Sequence, residues 1–356
     1  MERVTIRTVA AESGVSPATV SRVLNRPERV EAHTRAKVIA AMERLGFQPS
    51  ALAQGLSRKV TQAIGVLVPG LVDFFFPEWY ESVSRAAERS GRRLLLFDAK
   101  HSAQRTEEGF AFLAAHRVDG ILFCSRPIDP YLPLIRRLNV PVVLALTQSA
   151  RDPVTAFKVD DVKAMFDAVA YLISRGHEQI ALISGPPQDS IAGTTRLQGY
   201  RQALRHFRLP LRTEWIGYGG FRFEDGYRAM QELLSAAVRP AFTAVVAASD
   251  EMALGAIRCL HDQGLRVPED LSVMGFDDLR LARMTTPTLT TVAQPFAEIG
   301  ERATEALIAA IDAGEKYTTG GIHYLPHRIV QRESVLPQGV STQGALTPTA
   351  NEGSES

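Results

Sequence analysis

Between Val15 and Leu24 the chain sets three hydroxyls, Ser16, Thr19 and Ser21, beside one guanidinium, Arg22. Hydroxyls of this kind hold phosphate oxygens, and an arginine can bridge the O6 and N7 edge of guanine. Ser16 is a good helix N-cap, and Pro17 stands at the first helical position, where its missing N–H costs nothing. Val20, Val23 and Leu24 then share one helical face, leaving Pro17, Ala18, Ser21 and Arg22 to point elsewhere. That outer face has no long apolar residue, so the spacing predicts a helix that meets a polar surface.

A second group of polar and aromatic residues follows the apolar runs of the remaining chain. It comprises Asp73 with Phe74, Phe75 and Phe76, then Arg196 beyond Gly185, then Phe221, Ser249 with Asp250, and Asp277 with Asp278. Converging in one cleft, such residues suit a neutral polyhydroxy ligand: rings stack on C–H faces while charged groups bond adjacent hydroxyls. Each also has a purely structural role open to it. Phe74 to Phe76 fit a core, Asp250 and Asp278 fit helix N-caps, and Arg196 fits an ion pair.

The elements that must position the first group form a three-helix unit. Thr5 can cap a turn carrying Ile6, Val9 and Ala10, and Gly14 allows the sharp exit of a helix-turn-helix corner. Asn25 and Pro27 stop the second helix, and Val38, Ala41, Met42 and Leu45 mark a third that ends at Gly46. Residues 1–60 hold ten Lys and Arg against five Asp and Glu, leaving 30 against 34 for the rest. A basic head on a mildly acidic body is the footprint of a nucleic-acid reader joined to something that is not one. Between them Leu52, Ala53 and Leu56 give about two turns of helix, too short to form without a partner.

From Ala63 onward, strand-like runs at 64–68, 93–97, 120–123, 140–144, 180–183, 244–246 and 271–276 alternate with helical stretches. Strands apolar on both faces and separated by helices imply parallel sheets, here enough for two doubly wound layers. Ligands of such sheets bind beyond the carboxyl ends of the strands and between domains.

At 356 residues, 45% hydrophobic and 22% charged, the composition is ordinary for a multidomain globular chain. The first residues contain no apolar signal region, and no uncharged run approaches a membrane span, which favours a cytoplasmic protein. Cys124 and Cys259 stand alone in apolar surroundings and read as small core residues. No nucleotide-binding glycine loop, nucleophile elbow or zinc-binding pair of histidines is present, so neither an enzyme nor a cofactor is expected. The last residues, from Pro337 on, are rich in Ser, Thr, Gly, Pro and Gln and read as a disordered tail.

Thr5-Ile6, Val9-Ala10, Gly14 to Ser16, Thr19 to Asn25, Thr34-Arg35, Gly46-Phe47 and Pro49 together resemble the lactose/galactose-repressor (LacI/GalR) family of bacterial transcription regulators. The resemblance continues through Arg175 to His177, Arg196 to Tyr200, Ala248 to Asp250, Val267 to Asp270, Gly275 to Asp278 and Gln294-Pro295, so it spans roughly residues 4–334. It implies a helix-turn-helix headpiece (1–48), a hinge helix (49–62) and a periplasmic-binding-protein-like, type I α/β core (63–336) of two parallel-sheet lobes. The lobes would comprise about 63–161 with 293–322, and 162–292 with 323–336, leaving 337–356 as the tail.

By the same resemblance, a homodimer reads a pseudo-palindromic operator. Pro17, Ala18 and Arg22 would face bases, while Thr5, Ser16, Thr19, Ser21, Asn25 and Thr34 would contact phosphates and Leu56 would wedge into the minor groove. Phe75, Phe76, Arg196, Phe221, Ser249 and Asp277 would form the effector shell, with Arg196 paired to Asp277. That set resembles the sugar-responsive members, and the loop from Gly185 to Arg196 lacks the second arginine expected for a purine. The implied function is repression of a carbohydrate uptake or catabolism operon; the alternative is a soluble sugar-binding protein without operator function. Three positions depart from the family pattern. Leu144 to Thr147 stands where many members carry a ligand-facing Asp, Asp161 replaces a frequent Asn, and Glu31 replaces a capping Ser.

Overall fold

The computed structural model describes residues 4–47, 61–124, 126–235 and 241–338. Leu56 and most of the expected hinge, together with nearly all of the expected tail, lie outside the described residues.

Helix α1 (Ile6–Ser13) opens on a capping box in which Thr5 and Thr8 each accept the other's backbone N–H at 3.3 Å. Gly14 closes it at φ 68°, a conformation that a Cβ would strain. Helix α2 (Pro17–Asn25) starts from Ser16, whose Oγ accepts from Thr19 N at 3.2 Å. Helix α3 (Ala32–Arg44) starts at Glu31 with no side-chain cap, as the loss of a capping Ser implies. Val9, Ala10, Val20, Val23, Val38 and Ala41 form the small shared core, with Leu24, Met42 and Leu45 packed at its edge.

In the remainder, two six-stranded sheets stack against helices on both faces. The first has the order β11-β5-β4-β3-β1-β2, all parallel, with β1 (Ala63–Val68), β2 (Arg93–Asp98), β3 (Gly120–Cys124), β4 (Val142–Ala145), β5 (Ala156–Lys158) and β11 (Ile322–Tyr324). The second runs β12-β10-β9-β8-β6-β7, with β6 (Ile180–Ser184), β7 (Ile216–Tyr218), β8 (Ala244–Ala247), β9 (Ser272–Asp277), β10 (Thr290–Ala293) and β12 (Arg328–Val330). Only the β10–β12 pairing is antiparallel. Central strands such as β3 and β6 are buried along their whole length, which is why they read as unbroken apolar runs. Cys124 and Cys259 are both free and buried.

The helices are α4 (Phe76–Arg89), α5 (Ala103–Ala115), α6 (Leu132–Leu138), α7 (Asp161–Ser174), α8 (Gly193–His206), α9 (Phe223–Ser235), α10 (Asp250–Asp262) and α11 (Phe296–Asp312). The chain passes from the first sheet to the second after β5, returns after β10 through α11, and crosses again between β11 and β12. Three crossings put the carboxyl ends of both sheets around one cleft. Among the described residues, no helix is long and apolar enough to cross a membrane.

Candidate functional site

The cleft encloses a cavity of ≈ 390 Å³, within the range of small-molecule sites. Its aromatic wall is Phe75, Phe221 and Phe296, with Phe75 and Phe296 stacked at 5.7 Å. Phe221 sits at φ 71° and lies against Gly185, where an added Cβ would come within 2.2 Å of its ring. Glycine at 185 therefore lets the ring fold inward. Phe76 is not in the wall: as the first residue of α4 it turns into the core and stacks on Tyr80 at 5.2 Å, which corrects the expectation for that residue.

The polar floor is organised by Asp161. One of its oxygens accepts from Arg196 Nε at 2.8 Å and the other pairs with Lys158 Nζ at 2.9 Å. All three side chains are buried, so each charge depends on the others. Arg196 also donates to the Ala248 carbonyl at 2.5 Å and lies 3.7 Å over the Phe276 ring. Its distance to Asp277 is 3.8 Å, so the expected Arg196–Asp277 pair gives way to Asp161 as the close partner. Asp277, at φ 127°, instead accepts from Gln294 Nε2 at 2.7 Å. Burial pushes the Asp277 carboxyl up to about 6, against the pull of Arg196 and Gln294.

Ser249 lines the cavity, but its hydroxyl accepts from Met252 N at 3.2 Å and donates to the Phe221 carbonyl at 3.2 Å. It is thus the N-cap of α10 and a brace for the Phe221 turn. Asp250 is not the cap. Fully buried, it accepts from Leu279 N and Thr291 Oγ1, and burial holds its carboxyl well above the usual range. Asp278 is no cap either, since it pairs with Arg332 at 2.5 Å.

At one side of the cavity Arg222 spans the two lobes. It pairs with Asp73, donates to the Val72 carbonyl at 3.4 Å and stands 3.8 Å from Glu251, while His101 Nε2 lies 3.3 Å from Asp73. Burial, reinforced by Asp73 and Asp277, pushes Glu251 up to about 7, with Arg222 and the Phe74 N–H opposing. Sequence reading missed Lys158, Arg222, His101 and Glu251. Lys158 left a signal: a lysine in an otherwise apolar run, three residues before an Asp.

On the headpiece, Ser16, Pro17, Ala18 and Arg22 are exposed, and Thr19, Ser21, Asn25 and Thr34 are half-exposed. Thr5 and Ser16 mark the N-terminal ends of α1 and α2, and neither helix has an acidic residue in its first turn. The positive ends of both dipoles are therefore left uncompensated, which favours an approaching phosphate. Asn25 Nδ2 donates to Ser21 Oγ at 3.3 Å, fixing the last turn of α2.

The family profile described as "Bacterial regulatory proteins, lacI family" matches residues 5–50, and one described as "Periplasmic binding protein-like domain" matches 169–335. Catabolite control protein A of Priestia megaterium is 36% identical over 332 residues, covering 93% of this chain and 99% of that protein. The chain belongs to the LacI family. The HTH-type transcriptional repressor PurR of Proteus mirabilis is 38% identical to this LacI-family chain over 335 residues, covering 93% and 96% of the two.

Among solved structures, the Lac repressor dimer bound to operator and the anti-inducer ONPF superposes with a TM-score of 0.83 at 29% identity, covering 94% of this chain and all of that one. The transcriptional regulator CelR in complex with cellobiose gives 0.71 at 32% identity over 93% of this chain and all of the other. The chain is a DNA-binding transcriptional repressor of the LacI family with a type I periplasmic-binding-protein-like core. Its named relatives are regulators, not enzymes.

Proposed function

We propose that this repressor acts as a homodimer on a pseudo-palindromic operator of a carbohydrate uptake or catabolism operon, under the control of a sugar-like effector. The observation that carries this reading is the cavity between the lobes, where aromatic faces oppose a buried array of hydrogen-bonding charges. Phe75 and Phe221 would stack on the C–H faces of the ligand, and Asp277 and Arg196 would bond its hydroxyls. In the headpiece, Arg22 would read a base edge beside Pro17 and Ala18. Thr5, Ser16, Thr19, Ser21, Asn25 and Thr34 would hold phosphates, and Leu56 of the hinge would wedge into the minor groove. A ligand that shifts the lobe angle changes the spacing of the two hinges; a coupling of about 1–3 kcal/mol alters occupancy roughly five- to 150-fold.

The test is fluorescence anisotropy of the full chain on selected DNA sites at stated salt, with and without sugars, sugar acids and nucleosides. Specific binding changed by one sugar-class compound is the expected result. Absence of any specific site, or a response to nucleosides alone, overturns it.

A further inference from the structure

Several charges around the cavity have close partners, while Asp277 and Glu251 stand 3.8 Å from Arg196 and Arg222. Asp161 is shared by Lys158 and Arg196, Asp73 is paired with Arg222, and Asp189 accepts from the N–H groups of Ile191 and Ala192 at 2.8 and 3.3 Å. Arg126 also lines the cavity, and its guanidinium has no hydrogen-bond or ion-pair partner among the described residues. Asp129, the acid nearest in sequence, is committed elsewhere: its oxygens take Ser149 Oγ at 2.5 Å and Ala150 N at 3.1 Å.

Lys158 adds a second donor to the cavity lining. Its ammonium is almost fully buried and carries three N–H groups. One goes to Asp161 and one to Gln148 Oε1 at 3.4 Å, leaving the third without a partner among the described residues. Gln148 follows Thr147, whose hydroxyl donates to the Arg126 carbonyl at 2.5 Å, so the Arg126 backbone and the Lys158 ammonium are held at consecutive residues of the β4 exit, and both side chains line the cavity. Residues 142–148, the strand and its exit, include no Asp or Glu. Leu146 enters the cavity wall at φ 57°, and the Thr147 hydroxyl is spent on Arg126. A buried ammonium with a spare donor, lining the same cavity as a guanidinium that has no counter-ion among the described residues, suits an oxyanion, whose acceptors would serve both.

We propose that the effector carries an oxyanion, a carboxylate or a phosphate ester, on a polyhydroxylated frame, received by Arg126 and the free N–H of Lys158. This rests on the sugar-site reading above and narrows it from neutral sugars to sugar acids or sugar phosphates. Arg126 is then a specificity-determining residue. A neutral sugar would fill the aromatic wall but leave the two donors facing an uncharged group.

The experiment is isothermal titration of the full-length protein with C5 and C6 aldoses, each beside its aldonate, its uronate and its terminal phosphate ester, and with purine nucleosides. An acid or ester at least tenfold tighter than its parent aldose supports the inference. The aldonate and uronate arms against the ester arm separate carboxylate from phosphate. Arg126→Ala and Arg126→Gln, checked for folding by circular dichroism, should abolish that preference, so that acid and ester bind no tighter than the parent aldose. Aldoses binding as tightly as their acids, or an acid preference that survives loss of Arg126, overturn the inference while leaving the sugar site standing. Binding of nucleosides alone overturns the sugar site as well. The wild-type comparison decides the matter even if neither variant folds.

Discussion

Replacing Asp161 by Asn should destabilise the fold. Among the described residues the carboxylate is the one close counter-ion of Lys158 and the nearest to Arg196, at 2.9 and 2.8 Å, and all three side chains are at most 7% exposed. Removing one member of a buried ion pair costs about 3–5 kcal/mol because the remaining charge is left uncompensated. Arg196 would keep the Ala248 carbonyl, the Phe276 ring and Asp277 at 3.8 Å, which places the loss near the lower end, about 3 kcal/mol. With a urea dependence of about 3 kcal/mol per molar, the midpoint should fall by roughly 1 M. Trp79, in the first lobe, and Trp215, in the second, provide fluorescence reporters on both sides of the triad. Lys158→Met combined with Asp161→Asn removes one stranded cation and should recover at least about 1 kcal/mol of the loss. A single-variant loss below about 1 kcal/mol, or a double variant no better than the single, would refute the shared-carboxylate account.

Three further outcomes follow from the geometry. Arg22→Ala should lower operator affinity by about ten- to a hundredfold while leaving salt-dependent binding to random DNA intact; equal losses on both would remove Arg22 from base reading. Glu251 has a folded-state value of about 7 against an ordinary 4.5, so its charged form disfavours the fold at high pH, and stability should rise as pH falls from about 7 towards 4.5. Glu251→Gln, which mimics the protonated acid, should therefore raise Tm at pH 8 and lose that advantage near pH 4.5; a Tm below wild type at pH 8 would mean that the Arg222 contact outweighs burial. Gly185→Ala should push Phe221 out of the cavity and weaken effector binding at least tenfold in titration, with operator affinity in the absence of effector unchanged.

What was legible in the sequence was whatever local spacing or an apolar run can encode. The Ser16 cap, Pro17 at the start of α2 and the Val20/Val23 face appear where periodicity put them. The long buried strands appear likewise, whereas β5, β11 and β12 are three residues each, too short for any period to register. Phe74, Phe75 and Phe76 show the limit of pattern reading. Three adjacent rings at the entry to α4 go to three environments, solvent, cavity and core, because successive residues leave a turn in different directions. The partner of Arg196 was illegible for a different reason: Asp161 and Asp277 are both remote in sequence, and only the docking of α7 against α8 makes Asp161 the nearer.

The cavity's charges also constrain how a ligand can act on the fold. Arg222 belongs to the second lobe and Asp73 to the first, so their pair opposes any widening of the cleft at that side. The Lys158–Asp161–Arg196 triad sits where the chain first crosses between the sheets, so its donors and acceptors are fixed relative to both lobes. A ligand bonded to the triad alone would leave the lobe angle unchanged, since it would not interact differently with open and closed forms. One that also reaches Arg222 or Asp73 would compete with the clasp, and its differential affinity would move the lobes. Arg222→Ala separates these cases: effector binding that survives while its effect on operator affinity disappears would identify the clasp as the coupling element, and an undiminished operator response would exclude it.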